Sequence, residues 1–455
     1  MPTSNSRSPD APYEPYEPYA PRPATRASGR VAPSTADAVT AAASRRVGRA
    51  TVSQKNGAAT PRASLRSGSD ASDASDPSGA CIAFDGFSPP DRAGAPSYAP
   101  ATARKGRGAV SNVASRFDAC QREVDDGRLD ADTAQEHVVR FVTSVTAETA
   151  RTVISRNTSP DIPFDRSINP YRGCEHGCIY CYARPSHAYL GLSPGLDFET
   201  RLYAKTNAAA ALRAELARPG YEPACIALGA NTDPYQPIER EHRLTRAVLE
   251  QLDRCGHPVT ITTKSALVLR DLDILSRLAQ RQLVRVYLSV ATLDATVARH
   301  LEPRATTPVR RIEAVRRLSE AGVPTGVVVA PVIPSLTDAD IERVLEAAAA
   351  AGATQAGYVM LRLPREVRDL FVEWLDAHFP MRSRHVMSLI EQVRDGAHNS
   401  AEFGTRLRGT GVHAELVAKR FSVAVRRLGL NAKRPDLRTD LFVRPAGETA
   451  QMRLF

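Results

Sequence analysis

Asn169-Pro-Tyr-Arg-Gly-Cys174-Glu-His-Gly-Cys178-Ile-Tyr-Cys181-Tyr-Ala-Arg184 places three of the chain's seven cysteines within eight residues, spaced C-x3-C-x2-C. This spacing lets three thiolates converge on one inorganic centre from a single short loop, and Gly173 and Gly177 let the backbone turn tightly beside it. Thiolates favour iron–sulfur clusters and zinc. A [4Fe–4S] cube normally takes four cysteines; with three, one iron keeps an open position where a small molecule can bind. Cys81, Cys120, Cys225 and Cys255 are poor candidates for a fourth ligand, the first lying in a tail and the others in helix or strand patterns remote from the loop. Two other readings stay open. His176 or His187 would complete a structural Cys3His zinc site, although zinc sites more often show paired C-x2-C knuckles and no second pair exists here. The third reading is three buried thiols without metal.

Outward from this loop, from about residue 160, short apolar runs rich in β-branched residues alternate with longer amphipathic stretches. The runs predict strands at Ile168–Arg172, Ala224–Leu228, Val259–Thr263, Val284–Val290, Thr325–Val329 and Ala356–Leu361. The stretches predict helices over Thr206–Leu216, Glu239–Cys255, Leu272–Gln280, Pro308–Ala321 and Asp338–Ala351. Strands alternating with helices imply parallel pairing through right-handed crossovers. Six such units predict an α/β fold, a partial (β/α)6 barrel, with an open doubly wound sheet as its rival. In either, the chemistry belongs at the C-terminal strand ends. A helix is expected through Thr133–Thr149 from the spacing of Val138, Val139, Phe141, Val142 and Val145.

The 455 residues divide unevenly. Residues 1–110 hold 14 of the 33 prolines and only 7 Leu, Ile or Val, too little apolar side chain to offset the entropy of ordering them. The expected organisation is a disordered N-terminal tail (1–103), a lead-in segment (104–159), the barrel (160–364) and a helical, basic C-terminal extension (365–455). No run of 18 apolar residues exists, so no membrane span is expected. The N-terminus lacks an apolar signal region, and an odd, sparse cysteine count fits a reducing cytoplasm.

The C-x3-C-x2-C spacing, with the aromatic Tyr180 just before its last cysteine and at the end of the first strand of a βα series, resembles the signature of radical S-adenosylmethionine (SAM) enzymes. Cys178-Ile-Tyr-Cys181-Tyr-Ala-Arg and the later Asn231-Thr-Asp-Pro-Tyr-Gln-Pro-Ile-Glu239 resemble the subgroup related to spore photoproduct lyase, its uncharacterised bacterial members above all. The resemblance implies a [4Fe–4S] cluster on Cys174, Cys178 and Cys181, with SAM chelating the fourth iron and Tyr180 lying against the adenine. It implies a lyase-like enzyme that reductively cleaves SAM to a 5′-deoxyadenosyl radical and takes hydrogen from a substrate, with DNA the macromolecular candidate. It further implies an electron donor such as flavodoxin or ferredoxin.

The remaining cofactor contacts are expected from the strand ends. Asn231 and Asp233 stand where an acceptor for the SAM amino group is required. Thr263 and Lys264 close an apolar run, and Lys264 is placed to meet the SAM carboxylate or a substrate phosphate. Ser289 is a candidate for the ribose hydroxyls and Arg304 for an anionic group, while Arg362, ending the last strand, is expected at the cavity mouth. Each has a plainer alternative: a turn, a core hydrogen bond or a surface ion pair. Cys225 is weighed as a hydrogen donor but begins its strand, the wrong end for a catalytic group. Net charge is +10, and residues 418–438 carry seven basic side chains against one acid, a stripe able to track nucleic-acid phosphates. The competing classes are a zinc-stabilised nucleic-acid-binding protein without catalysis, and a radical SAM enzyme on a small molecule or peptide.

Overall fold

A computed structural model describes residues 105–114, 116–117 and 142–446. The expected tail (1–103), Cys81 and Cys120 lie outside the described residues. So does most of the expected helix over Thr133–Thr149; its last part is instead strand β1 (Ser144–Glu148), pairing in parallel with a later strand. Val145 and Thr146 are β-branched, and β-branched side chains fit a pleated, half-buried surface better than a helix.

The chain continues through β2 (Ile154–Arg156), β3 (Arg166–Ile168) and β4 (Tyr171–Arg172), then helix α1 (Asp197–Thr200), β5 (Arg201–Lys205) and α2 (Ala208–Leu216). The first expected strand is therefore two. Pro170 has no N–H to give a ladder, so β3 stops at Ile168 and the chain turns out of the main sheet to pair β4 with β5. The side chain of Asn169 ties the break to the neighbouring strand end, its Oδ1 accepting from the amides of Asn231 and Thr232 at 3.0 and 3.3 Å.

Next come β6 (Ile226–Leu228), α3 (Glu239–His242), α4 (Leu244–Arg254), β7 (Val259–Thr263), α5 (Leu272–Gln280) and β8 (Val284–Ser289). They are followed by α6 (Ala295–Leu301), α7 (Pro308–Glu320), β9 (Thr325–Val332), α8 (Ile341–Ala350) and β10 (Gln355–Met360). The expected helix Glu239–Cys255 is interrupted at Arg243, whose φ is +51°. The break frees Glu239 to cap α4: its carboxylate accepts from the amides of Thr245 and Arg246 at 3.0 and 3.3 Å.

The main sheet runs β10-β9-β8-β7-β6-β3-β2, the first six parallel in sequential order and β2 antiparallel at the edge. This is the expected α/β architecture, with six parallel strands joined by helical crossovers. Its core is near-continuous Val, Ile and Leu, fully buried from Ile226 through Val286 to Val327. Gly326 in β9 gives room for the ring of Tyr287 on β8: an added Cβ would lie 2.6 Å from its ring carbons.

The extension contains α9 (Val367–His378), α10 (Ser383–Gln392) and α11 (Gly411–Arg427), then an irregular strap. The strap crosses the N-terminal ends of the strands. The side chain of Asn431 brackets Ala356 with two hydrogen bonds, the Pro435 carbonyl accepts from Arg285, and the amides of Arg438 and Val443 donate to Gln282 and Cys255. Residues 418–438, expected as a basic stripe able to track nucleic-acid phosphates, run through α11 into this strap. They lie on α8 and under the sheet, and Arg420, Arg427 and Arg438 are paired with Glu342, Glu346 and Asp440. Phe421, the nearby aromatic, is buried.

Under the sheet, the Phe442 ring packs on Tyr221 and His257. His257 faces the Pro258 carbonyl through Nδ1 and Tyr221 Oη through Nε2. This fits a neutral ring that donates at Nδ1 and accepts at Nε2. Burial, opposed in part by the Pro258 hydrogen bond, lowers its pKa to about 4. The unfolded ring takes up a proton near its ordinary value of about 6.5, above the folded one, so acid favours the unfolded state. Stability is expected to fall as pH drops from about 6.5 toward 4, and His257→Asn should flatten that slope in urea titrations across the same range.

Candidate metal centre

The cysteine loop sits at the C-terminal end of the parallel strands, and its shape follows from two glycines and a set of backbone bonds. Gly173 and Gly177 have φ of +73° and +68°, and a Cβ on Gly177 would lie 2.8 Å from the Glu199 carboxylate. The amides of Cys174, Ile179 and Cys181 donate to Phe198, Leu301 and Cys178. Gln236 clasps the loop with both ends of its amide, accepting from Glu175 N at 2.9 Å and donating to the Gly173 carbonyl at 3.2 Å.

Behind the loop lies a fully buried ion pair. Arg184 meets Glu199 at 2.5 Å, and its remaining donors reach the carbonyls of Cys178, Pro194 and Gly195. The same Glu199 carboxylate accepts from the amides of Gly108 and Ala109 at 3.0 and 2.8 Å. The lead-in segment is thereby bonded to the carboxylate that holds the cysteine loop.

Cys174 and Cys178 are buried and Cys181 is half-buried. Burial is the main cause that pushes the Cys178 thiol up to about 12, and Cys174 is raised well above the thiol range for the same reason. As thiolates they require positive charge among them, which a metal centre supplies. Among the described residues no three His, Cys, Asp or Glu side chains come close enough to share one metal ion. His187 is also engaged elsewhere, its Nε2 2.9 Å from the Arg201 carbonyl and its ring edge-on to Phe198. A cluster asks for something else, each cysteine on a different iron. Three cysteines on one loop, framed by glycines and none of them in a disulfide, fit that demand.

The expected cofactor residues gather at this end but are unequally free. Tyr180 is buried, its hydroxyl donating to Glu302, while Lys264 Nζ stands 5.8 Å from its ring centroid. Asp233 is fully engaged: it accepts from Thr263 Oγ1 at 2.6 Å, from Lys264 N at 2.7 Å and from Tyr235 N at 2.9 Å. Burial opposes its ionisation, but His176, 3.4 Å away, and these donors hold its carboxyl well below the usual range. Asp233 therefore links the end of β7 to the loop after β6. Ser289 donates to the Ala330 carbonyl at 3.2 Å, the core hydrogen bond that was its plainer alternative. Arg304 pairs with Glu175 at 2.7 Å and donates its amide to the His176 carbonyl. Among the described residues, Asn231 stands beside Asp233 with its side chain free of hydrogen bonds, and Lys264 forms no ion pair. Cys225 precedes β6 at the N-terminal end, near Thr260, remote from the loop.

Several residues that shape the site escaped the sequence reading. Glu302 is buried and bridges Tyr180 to Arg311; burial pushes its carboxyl up, but Arg311 and Lys264 outweigh this and hold it below the usual glutamate range. Arg311 is buried in turn, donating to the carbonyls of Ser289 and Thr306 at 2.8 and 2.6 Å. One signal pointed to it: Arg311 falls on the buried face of α7 with Ala314, Val315 and Leu318, where a charge needs a partner. Gln236, Arg184 and Glu199 carried no comparable pattern.

The radical SAM superfamily model matches residues 168–348. An uncharacterized protein of Mycobacterium tuberculosis is 41% identical over 227 residues, 49% of this chain and 67% of that protein. An uncharacterized protein of Methanocaldococcus jannaschii is 29% identical over 173 residues, 38% of this chain and 62% of that protein. Among solved structures, spore photoproduct lyase complexed with dinucleoside spore photoproduct is similar at 18% identity and a TM-score of 0.46, over 63% of this chain and 80% of that one.

Removing one member of a buried ion pair leaves the other uncompensated, at a cost of about 3–5 kcal/mol. Glu199→Gln is expected to destabilise by that order in urea unfolding. Because Arg184 also holds the Cys178 carbonyl, the variant should in addition retain less iron after anaerobic reconstitution; full stability with full iron would disprove the role given to the pair.

Proposed function

The chain belongs to the radical SAM superfamily, and from that membership we propose that Cys174, Cys178 and Cys181 hold the [4Fe–4S] cluster and that the chain abstracts hydrogen from a substrate entering at the C-terminal mouth of the sheet. The observation that carries this is the single loop, tied by backbone bonds, that presents three cysteines free of disulfides at that end. When bound, the cluster and SAM supply one-electron cleavage of the nucleotide and hydrogen-atom abstraction. A one-electron reductant is required, and a small flavodoxin or ferredoxin fits that need.

The chain's own residues divide the binding work. Lys264, in no ion pair among the described residues, is the group available to the SAM carboxylate. Asn231 is the available side chain for the amino group, with Asp233 supplying negative charge beside it while Thr263 holds Asp233 in place. Tyr180, fixed by Glu302 and Arg311, offers its ring as a wall for adenine. Ser289 keeps a lone pair for a ribose hydroxyl, and Arg304 orients the loop through Glu175. The division of the chain into barrel (160–364) and extension (365–455) is part of the same proposal: the barrel carries the chemistry and the extension braces it.

The finer lyase reading draws less support. Cys225 stands at the far end of the sheet from the loop, and burial raises its thiol to about 11, so a hydrogen-returning role for it finds no geometric backing. Contact with DNA through 418–438 is likewise unsupported, because that stretch straps the opposite end. Among the described residues no helix is long and apolar enough to cross a membrane.

Anaerobically reconstituted, dithionite-reduced protein should bind about four irons with sulfide and release 5′-deoxyadenosine slowly from SAM. Cys178→Ala should abolish that release, whereas Cys225→Ser should leave it unchanged. Normal turnover by Cys178→Ala would refute the cluster assignment.

A further inference from the structure

Beyond the cysteine loop, the C-terminal mouth holds a positive charge that has no ion-pair partner among the described residues. Arg362 lies two residues past the end of β10 and is half-buried. It forms no hydrogen bond or ion pair among the described residues, and its Nε is buried without a partner. Its guanidinium lies 5.6 Å from the ring centroid of Tyr182, the residue directly after Cys181. Tyr182 is half exposed and anchored through its hydroxyl to the Ala230 carbonyl at the end of β6. The pair therefore stands beside the cysteine loop with one face open.

The surroundings deepen the imbalance. Arg394 is 3% exposed and spends its terminal nitrogens on four carbonyls, those of Met360, Leu361, Thr405 and Arg406, with no carboxylate against it. These bonds fix the backbone next to Arg362. Arg406 is paired with Asp161, so the nearby acid is already used. Burial first, then Arg406, lowers the pKa of Arg362; burial and Arg362 bring Arg394 down to about 10. Among the described residues neither Arg362 nor Arg394 is ion-paired, and Asp161, the acid nearest Arg362, is taken by Arg406. A buried, unpaired guanidinium is costly unless something neutralises it.

We propose that Arg362, supported by Tyr182, is the anion-recognition residue of the substrate subsite and takes a phosphoryl group. This rests on the reading that the substrate enters at this mouth. A guanidinium fork matches two oxygens of a phosphoryl group. A phosphoryl group carries about −1.5 to −2 charge at neutral pH, close to the two charges of Arg362 and Arg394, whereas a carboxylate supplies one. The cysteine loop adjoining Tyr182 then puts the anchored substrate next to the chemistry.

The test uses the full chain, reconstituted anaerobically, in phosphorus NMR titrations and equilibrium dialysis with inorganic phosphate, phenyl phosphate and acetate. Both phosphates should bind, the ester at least as tightly, and acetate more weakly. Arg362→Gln should lower phosphate affinity by about tenfold or more, the loss of a charge-assisted pair. Arg362→Lys keeps the charge but loses the fork and should fall in between, which serves if the Gln variant misfolds. Arg316→Gln on α7, an exposed arginine already paired with Glu313 and Glu320, should bind phosphate normally. Unchanged phosphate affinity in both Arg362 variants overturns the proposal, as does acetate binding equally well. A site that takes inorganic phosphate but excludes the ester overturns the substrate assignment. A fall in SAM affinity in Arg362→Gln would assign the residue to the cofactor and overturn it too. Because binding is read without turnover, absence of iron or of SAM cleavage in the wild type would count against the family chemistry separately.

Discussion

The buried pair between Arg184 and Glu199 is the contact on which the site's geometry depends. Neither side chain touches water, so each charge needs the other and every remaining hydrogen-bonding position must be filled. Those positions are filled by the backbone of the cysteine loop, by the turn at Pro194 and Gly195, and by the amides of Gly108 and Ala109. The consequence is rigidity: the loop cannot shift without uncovering a charge. A centre that binds three irons from one short segment gains from such a loop, because it need not be ordered at the moment of binding.

A second buried network stands on the other side of the loop. Tyr180, Glu302 and Arg311 form a chain of charge-assisted hydrogen bonds ending on the carbonyls of Ser289 and Thr306. It joins the residue before Cys181 to the end of β8 and to the buried face of α7. Asp233 does the same between the loops after β6 and β7. Strand ends that would otherwise be independent loops are thus cross-linked by polar side chains, and the free groups left among them, Lys264, Asn231 and Arg362, are those available to ligands.

The two ends of the sheet have opposite tasks. At the C-terminal end, polar side chains converge and some remain unpaired. At the N-terminal end, the strap from Asn431 to Val443 supplies hydrogen bonds to strand starts and covers Tyr221 and His257. Arg438 pairs with Asp440 within the strap, and Arg420 and Arg427 of the preceding α11 pair with Glu342 and Glu346 of α8. A charge count along the chain reads this stretch as a surface stripe, although its position makes it bracing.

The amino-acid sequence by itself determined the cysteine spacing, the alternation of strands and helices and hence the parallel sheet, because each of these is written in local period and residue type. Leu272–Gln280 and Val259–Thr263 were legible to the residue, since apolar periodicity there meets no competing tertiary demand. Tertiary structure alone decided what long-range partners control. It turned Ser144–Glu148 into a strand because β5 is there to pair with it. It split β3 from β4 at a proline with a second sheet waiting, and broke the helix at Arg243 so that Glu239 could cap α4. It also decided which polar groups are free. Asp233, Ser289 and Arg304 are spoken for by neighbours 30 or more residues away in sequence, while Lys264 and Arg362 are not. Local pattern cannot carry that distinction, because a side chain's availability depends on what the fold brings against it.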